Sequence, residues 1–492
     1  MDASPSALFK LLLPKTPTIL KTALFHSLSL SETSSKWDLR TALTVKILRD
    51  ILGPGSEPQS ITKQQRMTIK DPGVKGNIWV VKVELGDGDG ALGVRAALFK
   101  ATKDMDPPDN TITYDAPAVA PLSGEWHGHR AVAVDNDDGP PAITDESKYG
   151  NLLAETTSNV TTLYFHGGAM FLLDPATYRS NTVKLAKVTG GRVFSVRYRL
   201  APAHPFPAAL LDALTAYLSL LHPPPGSVHT AVPASDIVFA GDSAGGMLCT
   251  ALLQLLLQLQ RTAPPGQAAR LRFHGRTVPV PLPGALALAS PWLDVTRSLP
   301  SIEGLTKYDY LPTPSHTAAR AIPPCPLWPA TPPRAEMYCN TSALLHPLVS
   351  PLAASAASWH GAPPVLWSVG EEMLLDECKV VAQRMAAQGV PTRWRLFEAM
   401  PHVFAYMLEG NGAASLHFEE VGTFCKDVVG GKGEGVPMSA QTVEAKTLKR
   451  REGDVHGLTE IRDEEVERWM REGKARIGRK GGEASLEARP ML

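Results

Sequence analysis

The chain has 492 residues, with 49 Lys and Arg against 49 Asp and Glu and 43% hydrophobic content. That length and content suffice for one large core, and the zero net charge offers no attraction for nucleic acid or another polyanion. Five scattered cysteines (Cys249, Cys325, Cys339, Cys378 and Cys425) predict reduced thiols in a cytoplasmic setting.

At the N-terminal end, Asp2 and the Pro14-Lys15 pair around the Leu11–Leu13 cluster predict that no signal peptide is present. Apolar patches at Leu8–Leu13 and Leu20–Leu30 carry few charges, a pattern that suits a cap helix or peripheral contact with a membrane equally. No apolar run is long and uncharged enough to span a bilayer. Trp37, Leu39, Leu43, Ile47 and Leu48 predict a helix over Lys36–Leu52. Strand-like runs at Ile78–Leu85 and Gly93–Phe99 read as an opening hairpin, and the Asp-, Pro- and Gly-rich stretch Asp104–Ser147 reads as loop. Residues 1–159 are thus taken as an N-terminal cap with the first strands of a sheet.

Strands and helices then alternate. Strands are predicted near 161–165, 192–197, 236–240, 284–289, 364–369 and 393–398. Helices are predicted near 176–189, 207–221, 244–260, 374–388 and 413–427. Alternation at this spacing predicts an α/β core over 160–430, a mostly parallel sheet wrapped by helices. Within it, residues 299–347 form a long Pro-rich insertion of the kind used as a lid or pocket wall. Trp292, Tyr308, Tyr310 and Trp328 are its candidate pocket-lining aromatics. The tail, 431–492, is charged. A solvent-exposed helix is expected especially over Asp463–Ala475, with no catalytic role and with packing or mobility left open.

Two turns in this core carry chemistry. Gly241-Asp242-Ser243-Ala244-Gly245 lies between the apolar run Ile237–Ala240 and the helical run Met247–Leu259. A sharp strand-to-helix turn cramps the serine backbone, so its neighbours must be small and Oγ projects alone above the sheet. Upstream, the strand Thr161–Phe165 runs into His166-Gly167-Gly168-Ala169-Met170-Phe171. A turn of small residues after a strand lets bare N–H groups face a cavity, as an oxyanion hole requires.

These two motifs, with the segment Tyr198–Ala209 between them, resemble the hormone-sensitive-lipase family of α/β-hydrolase-fold esterases. The resemblance covers roughly Thr161 to Val428 and implies carboxylic-ester hydrolysis without metal or organic cofactor, under an N-terminal cap. It assigns Ser243 as nucleophile and the N–H groups of Gly167, Gly168, Ala169 and Ala244 to the oxyanion hole. Where this chain has Ala169 the family usually has a third glycine, which places a methyl near the acyl pocket. The remaining triad members should follow the serine as acid, then histidine. Strand-end loops place His402, in Met400-Pro401-His402, as general base. By alignment with the family's acid motif, Glu372 orients it, with Asp376 as fallback and Glu371 solvated. His166 is expected to brace the glycine turn, Asp242 to anchor the serine turn, and His204 to be a hydrogen-bonded loop residue.

No His-Glu-x-x-His, Cys-x-x-Cys or Gly-x-x-x-x-Gly-Lys-Ser/Thr motif occurs, and neither a metal nor a nucleotide is expected. The expected partner is a small or medium apolar ester. Amide hydrolysis or acyl transfer by the same groups remains open, as does ligand binding on a retired hydrolase scaffold. Some plant hormone receptors of the family lost the triad histidine, and His402 is present here.

Overall fold

The computed structural model describes residues 13–53, 56–86, 89–107, 111–131, 143–318, 321–432 and 436–487. The apolar patch at Leu8–Leu13 lies outside these residues except for Leu13, as do parts of the predicted Asp104–Ser147 loop.

Twelve strands are described, in chain order β1 (Ile78–Leu85), β2 (Leu122–His129), β3 (Thr161–Phe165), β4 (Arg192–Arg197), β5 (Ile237–Asp242), β6 (Arg270–Phe273), β7 (Arg276–Pro279), β8 (Ala285–Ala289), β9 (Val365–Gly370), β10 (Thr392–Phe397), β11 (Ser439–Val443) and β12 (Arg450–Gly453). Ten of them form one sheet in the order β1-β2-β4-β3-β5-β8-β9-β10-β11-β12, and β6 with β7 makes a separate hairpin. From β4 to β11 neighbouring strands run parallel, while β2 is antiparallel to β1 and β4, and β12 to β11. Every residue of β3, β5, β8 and β9 is buried. These strands are covered on both faces, which is why they read as continuous apolar runs. The chain has the α/β-hydrolase fold.

Two expectations change. The run Gly93–Phe99 belongs to a helix, Leu92–Asp104, which buries Val94, Leu98 and Ala101. That spacing of four and three residues is helical rather than alternating. The true partner of β1 is β2, inside the stretch read as loop. Its Glu125 and His127 are buried, and Arg179 and Thr182 satisfy them: Arg179 Nη2 donates to Glu125 Oε1 at 2.8 Å, and Thr182 Oγ1 lies 2.7 Å from His127 Nδ1. Gly124 admits the neighbouring strand, since a Cβ there would sit 2.8 Å from the Ser195 carbonyl oxygen. The tail, whose packing the sequence left open, packs back on the core. It adds β11 and β12 to the sheet, and its helix Asp463–Glu487 buries Val466 and Met470.

The N-terminal helices Thr16–Ser27, Leu39–Leu52 and Ile61–Thr68 precede the sheet. The second starts three residues after Lys36 because the Asp38 carboxylate caps it, accepting from the Thr41 N–H at 2.7 Å. Trp37 Nε1 donates to the Ala399 carbonyl at 2.6 Å, and Arg49 Nε to the Asp309 carbonyl at 2.7 Å. The five cysteines are unpaired. Among the described residues no helix is long and apolar enough to cross a membrane.

Candidate active site

Ser243 stands between β5 and the helix Ala244–Thr262 at φ 52° and ψ −120°. A positive φ in a residue with a Cβ costs on the order of 1–3 kcal/mol and persists only where surroundings enforce it. Three main-chain bonds do so here. The Ser243 N–H donates to the Ala289 carbonyl at 3.1 Å, and the Ser243 carbonyl accepts from Trp292 at 2.9 Å and Met247 at 3.0 Å. The motif glycines answer to close approach: a Cβ on Gly245 would lie 1.9 Å from the Phe165 carbonyl oxygen. Gly245→Ala is therefore expected to destabilise the fold by about 2–4 kcal/mol, read as a fall in Tm. An unchanged Tm would show that the contact is not tight.

The Asp242 carboxylate ties this turn to the glycine turn. It accepts from Tyr164 Oη at 2.6 Å, Tyr178 Oη at 2.8 Å and the Gly167 N–H at 3.1 Å. Burial pushes its pKa up, and the two tyrosine hydroxyls pull against that. The same bonds correct one expectation: the Gly167 N–H is committed to Asp242 and to Tyr178 Oη at 3.2 Å, so it is not a donor into the site. Gly168 and Ala169 follow at φ 105° and 51°. Among the described residues nothing accepts from their N–H groups, and Ala244, opening its helix, has no intrahelical acceptor. Buried His166 stacks on Tyr198 at 4.4 Å between ring centroids and donates from Nδ1 to the Gly167 carbonyl at 2.7 Å. Burial holds it down at about 4, so it is a neutral brace at neutral pH. His204 is exposed in the loop after β4.

The loops after β9 and β10 bring Glu372 and His402 to the serine. His402 Nε2 lies 2.9 Å from Ser243 Oγ, and Nδ1 lies 3.1 Å from Glu372 Oε1. With a carboxylate at Nδ1, that nitrogen carries the proton and Nε2 is left to accept from the serine hydroxyl. Glu372 is fully buried, and its other oxygen accepts from Ser290 Oγ at 2.7 Å. Ser290 Oγ in turn accepts the Val403 N–H at 3.2 Å, beside the histidine. Burial alone would depress the His402 imidazolium. The charge and hydrogen bond of Glu372 outweigh it, Asp309 and Asp242 add to the effect, and His402 titrates above its ordinary 6.5.

Asp376 is not brought to the histidine. Its Oδ2 accepts from the Ser301 N–H at 2.9 Å, fastening the start of the insertion. Glu371, expected in solvent, is half-buried and accepts from the Ala399 N–H at 2.9 Å. Of the four candidate aromatics, Tyr310 stands 6.2 Å from His402 between ring centroids and Trp292 touches Ser243 through its main chain. Tyr308 packs on Trp37 at 5.8 Å, and Trp328 bridges to Cys325. A cleft of about 450 Å³ under Pro326–Thr331 lies apart from the triad and is lined by none of these aromatics.

One residue was missed from the sequence. Buried Asp309, in the insertion, accepts at Oδ2 from the Met373 N–H at 2.8 Å, and at Oδ1 from the N–H groups of Tyr310 at 2.7 Å and His402 at 3.4 Å. It joins the insertion to the residue after Glu372 and to the histidine itself. No local pattern marks it; an acid between two tyrosines in a Pro-rich stretch looks like any loop carboxylate. Asp309→Asn removes a negative charge that favours the imidazolium, so the acid limb of the pH–rate profile is expected to move to lower pH. A limb that stays in place would reduce Asp309 to a packing role.

The chain matches a family model described as alpha/beta hydrolase fold over residues 162–406. It is similar to an acetyl-hydrolase of Streptomyces hygroscopicus, 31% identical over 275 residues that make up 55% of this chain and 76% of that protein. An esterase of Acinetobacter venetianus is 30% identical over 249 residues, 50% of this chain and 68% of the relative. A crystal structure of an esterase from the bacterial hormone-sensitive lipase family shares the fold at 21% identity and a TM-score of 0.50, covering 80% of this chain and 99% of that one. On these similarities the chain belongs to the α/β-hydrolase-fold family of carboxylic-ester hydrolases.

Proposed function

We propose that the protein hydrolyses small to medium apolar carboxylic esters through an acyl-enzyme on Ser243. The observation that carries this reading is the Ser243 Oγ, His402 Nε2 and Nδ1, Glu372 Oε1 relay, with links of 2.9 and 3.1 Å. His402 takes the serine proton as Oγ bonds to the ester carbonyl carbon. The carbonyl oxygen becomes an oxyanion facing the N–H groups of Gly168, Ala169 and Ala244. As the tetrahedral intermediate collapses, the ester C–O bond breaks and the alkoxide leaves with the proton from His402. Water, deprotonated by the same imidazole, then attacks the acyl-enzyme and returns Ser243 and the acid. Glu372 stays ionised throughout, holding the tautomer and the imidazolium.

The relative named an acetyl-hydrolase, together with a methyl at position 169 where the family's glycine would be, supports a preference for short acyl groups. A series of p-nitrophenyl esters from acetate to palmitate tests both points. Turnover is expected to peak at short chains; no turnover of any ester by folded protein would turn the reading toward ligand binding on a hydrolase scaffold.

A further inference from the structure

The helix Thr16–Ser27 is built inside out. Its half-buried positions are Thr18, Ile19, Thr22, Ala23 and His26, and it packs on the helix Leu39–Leu52. Its solvent side carries the large apolar side chains: Leu20 is 64% exposed, Leu24 57% and Phe25 42%, with Leu28 at 59% just beyond the helix end and Leu13 at 55% just before its start. A helix lying on a protein in water does the reverse, burying its leucines and exposing threonine and histidine. Leu20, Leu24 and Leu28 recur every four residues and so form one stripe, which Leu13 extends at helical spacing. A lone exposed leucine needs no account, but a contiguous stripe does. Packing against the protein does not supply one, since the inward His26 leaves its buried Nδ1 without a partner among the described residues.

Charge selects the occupant. From Leu13 to Ser31 the charged residues are Lys15 and Lys21, and no Asp or Glu occurs. Lys21 is exposed and holds its ammonium 5.6 Å from the Phe25 ring centroid, its stem lying beside the apolar stripe. Apolar side chains rimmed by cations fit the boundary between acyl chains and anionic headgroups. A second copy of the chain seated on the same stripe would set lysines against lysines with no carboxylate between them. The stripe is also joined to the chemistry. The supporting helix Leu39–Leu52 holds the Asp309 carbonyl through Arg49, and Asp309 holds the His402 N–H.

We propose that the Thr16–Ser27 helix lies on a lipid surface, its leucine stripe in the acyl boundary and the exposed Lys21 among anionic headgroups, while half-buried Lys15 reaches back to the Asp50 carbonyl at 3.4 Å. The consequence that the substrates are esters carried by that surface rests on the ester-hydrolase reading; the surface itself does not. Flotation of the full chain with phosphatidylcholine vesicles, with and without phosphatidylglycerol, tests it beside a variant carrying Leu20→Ser, Leu24→Ser, Phe25→Ser and Leu28→Ser.

The parent is expected to float with vesicles, more so with phosphatidylglycerol, and the variant to lose about tenfold or more of that binding. Turnover of soluble p-nitrophenyl acetate should be the same in both. A parent that stays unbound with either vesicle overturns the proposal, as does a variant that floats equally well. A parent that sediments as a dimer without floating, and a variant that sediments as a monomer, would assign the stripe to a second copy instead. Vesicle binding without any ester turnover would still support the surface and would count only against the hydrolase reading.

Discussion

Replacing Ser243 by alanine is expected to lower kcat on p-nitrophenyl acetate by about 10⁴- to 10⁶-fold, the range found when a triad nucleophile is removed. The fold should survive it. Ser243 Oγ makes its hydrogen bond to His402 alone among the described residues, and alanine keeps the main-chain bonds that hold the positive φ. A thermal transition close to the parent's, measured beside the lost turnover, separates a chemical defect from an unfolded one. Near-parental turnover by the alanine variant would remove Ser243 from the mechanism and the acyl-enzyme with it.

The second large effect concerns the acid. Glu372→Gln keeps the shape of the side chain but leaves His402 Nδ1 beside an amide, which fixes neither the tautomer nor the imidazolium, and a loss of about 10³- to 10⁴-fold in kcat is expected. Asp376→Asn, which touches only the Ser301 anchorage, is expected to cost less than about tenfold, in line with loss of a single structural hydrogen bond. The reverse ranking would transfer the acid's role to Asp376.

The pH profile gives an independent reading. The proposed mechanism needs His402 neutral, and Glu372 raises the pKa of its imidazolium against the opposing effect of burial. Activity should therefore be present above that raised pKa and fall as pH drops through it, with an acid limb above 6.5. Removing the carboxylate charge should move that limb to lower pH in whatever activity remains.

Local constraints were legible and distant ones were not. Ser243, the Gly168-Ala169 turn and His402 stand at strand ends, where a cramped backbone or a short turn demands particular residue types next to one another. Glu372 was reachable through its place in the chain and the family's acid motif. Glu125 in β2 defeated the reading because a buried carboxylate looks like a surface one until Arg179 is seen against it, 54 residues further along. Gly93–Phe99 is short and apolar, and its helical period shows only when Val94, Leu98 and Ala101 are followed past the end of the run. Asp309 and the Gly167 N–H were settled by hydrogen bonds between segments remote in sequence. Small residues on a turn left it open which N–H groups face the cavity and which face Asp242.

The two ends of the sheet bear on how this protein can be handled. The stretch 162–406 matched by the family includes neither β2, which pairs with β4, nor β11, which pairs with β10. Expressed alone, that stretch would begin inside β3 and present β4 and β10 with their outer backbone groups bare, a template for joining strands from other molecules. It would also lose Arg179's partner Glu125 and the docked helix Asp463–Glu487, leaving a buried guanidinium unpaired and Val466 and Met470 missing from the core. The family segment cuts the sheet at β4 and β10, whereas the longer chain continues it through β2 and β1 on one side and through β11 and β12 on the other.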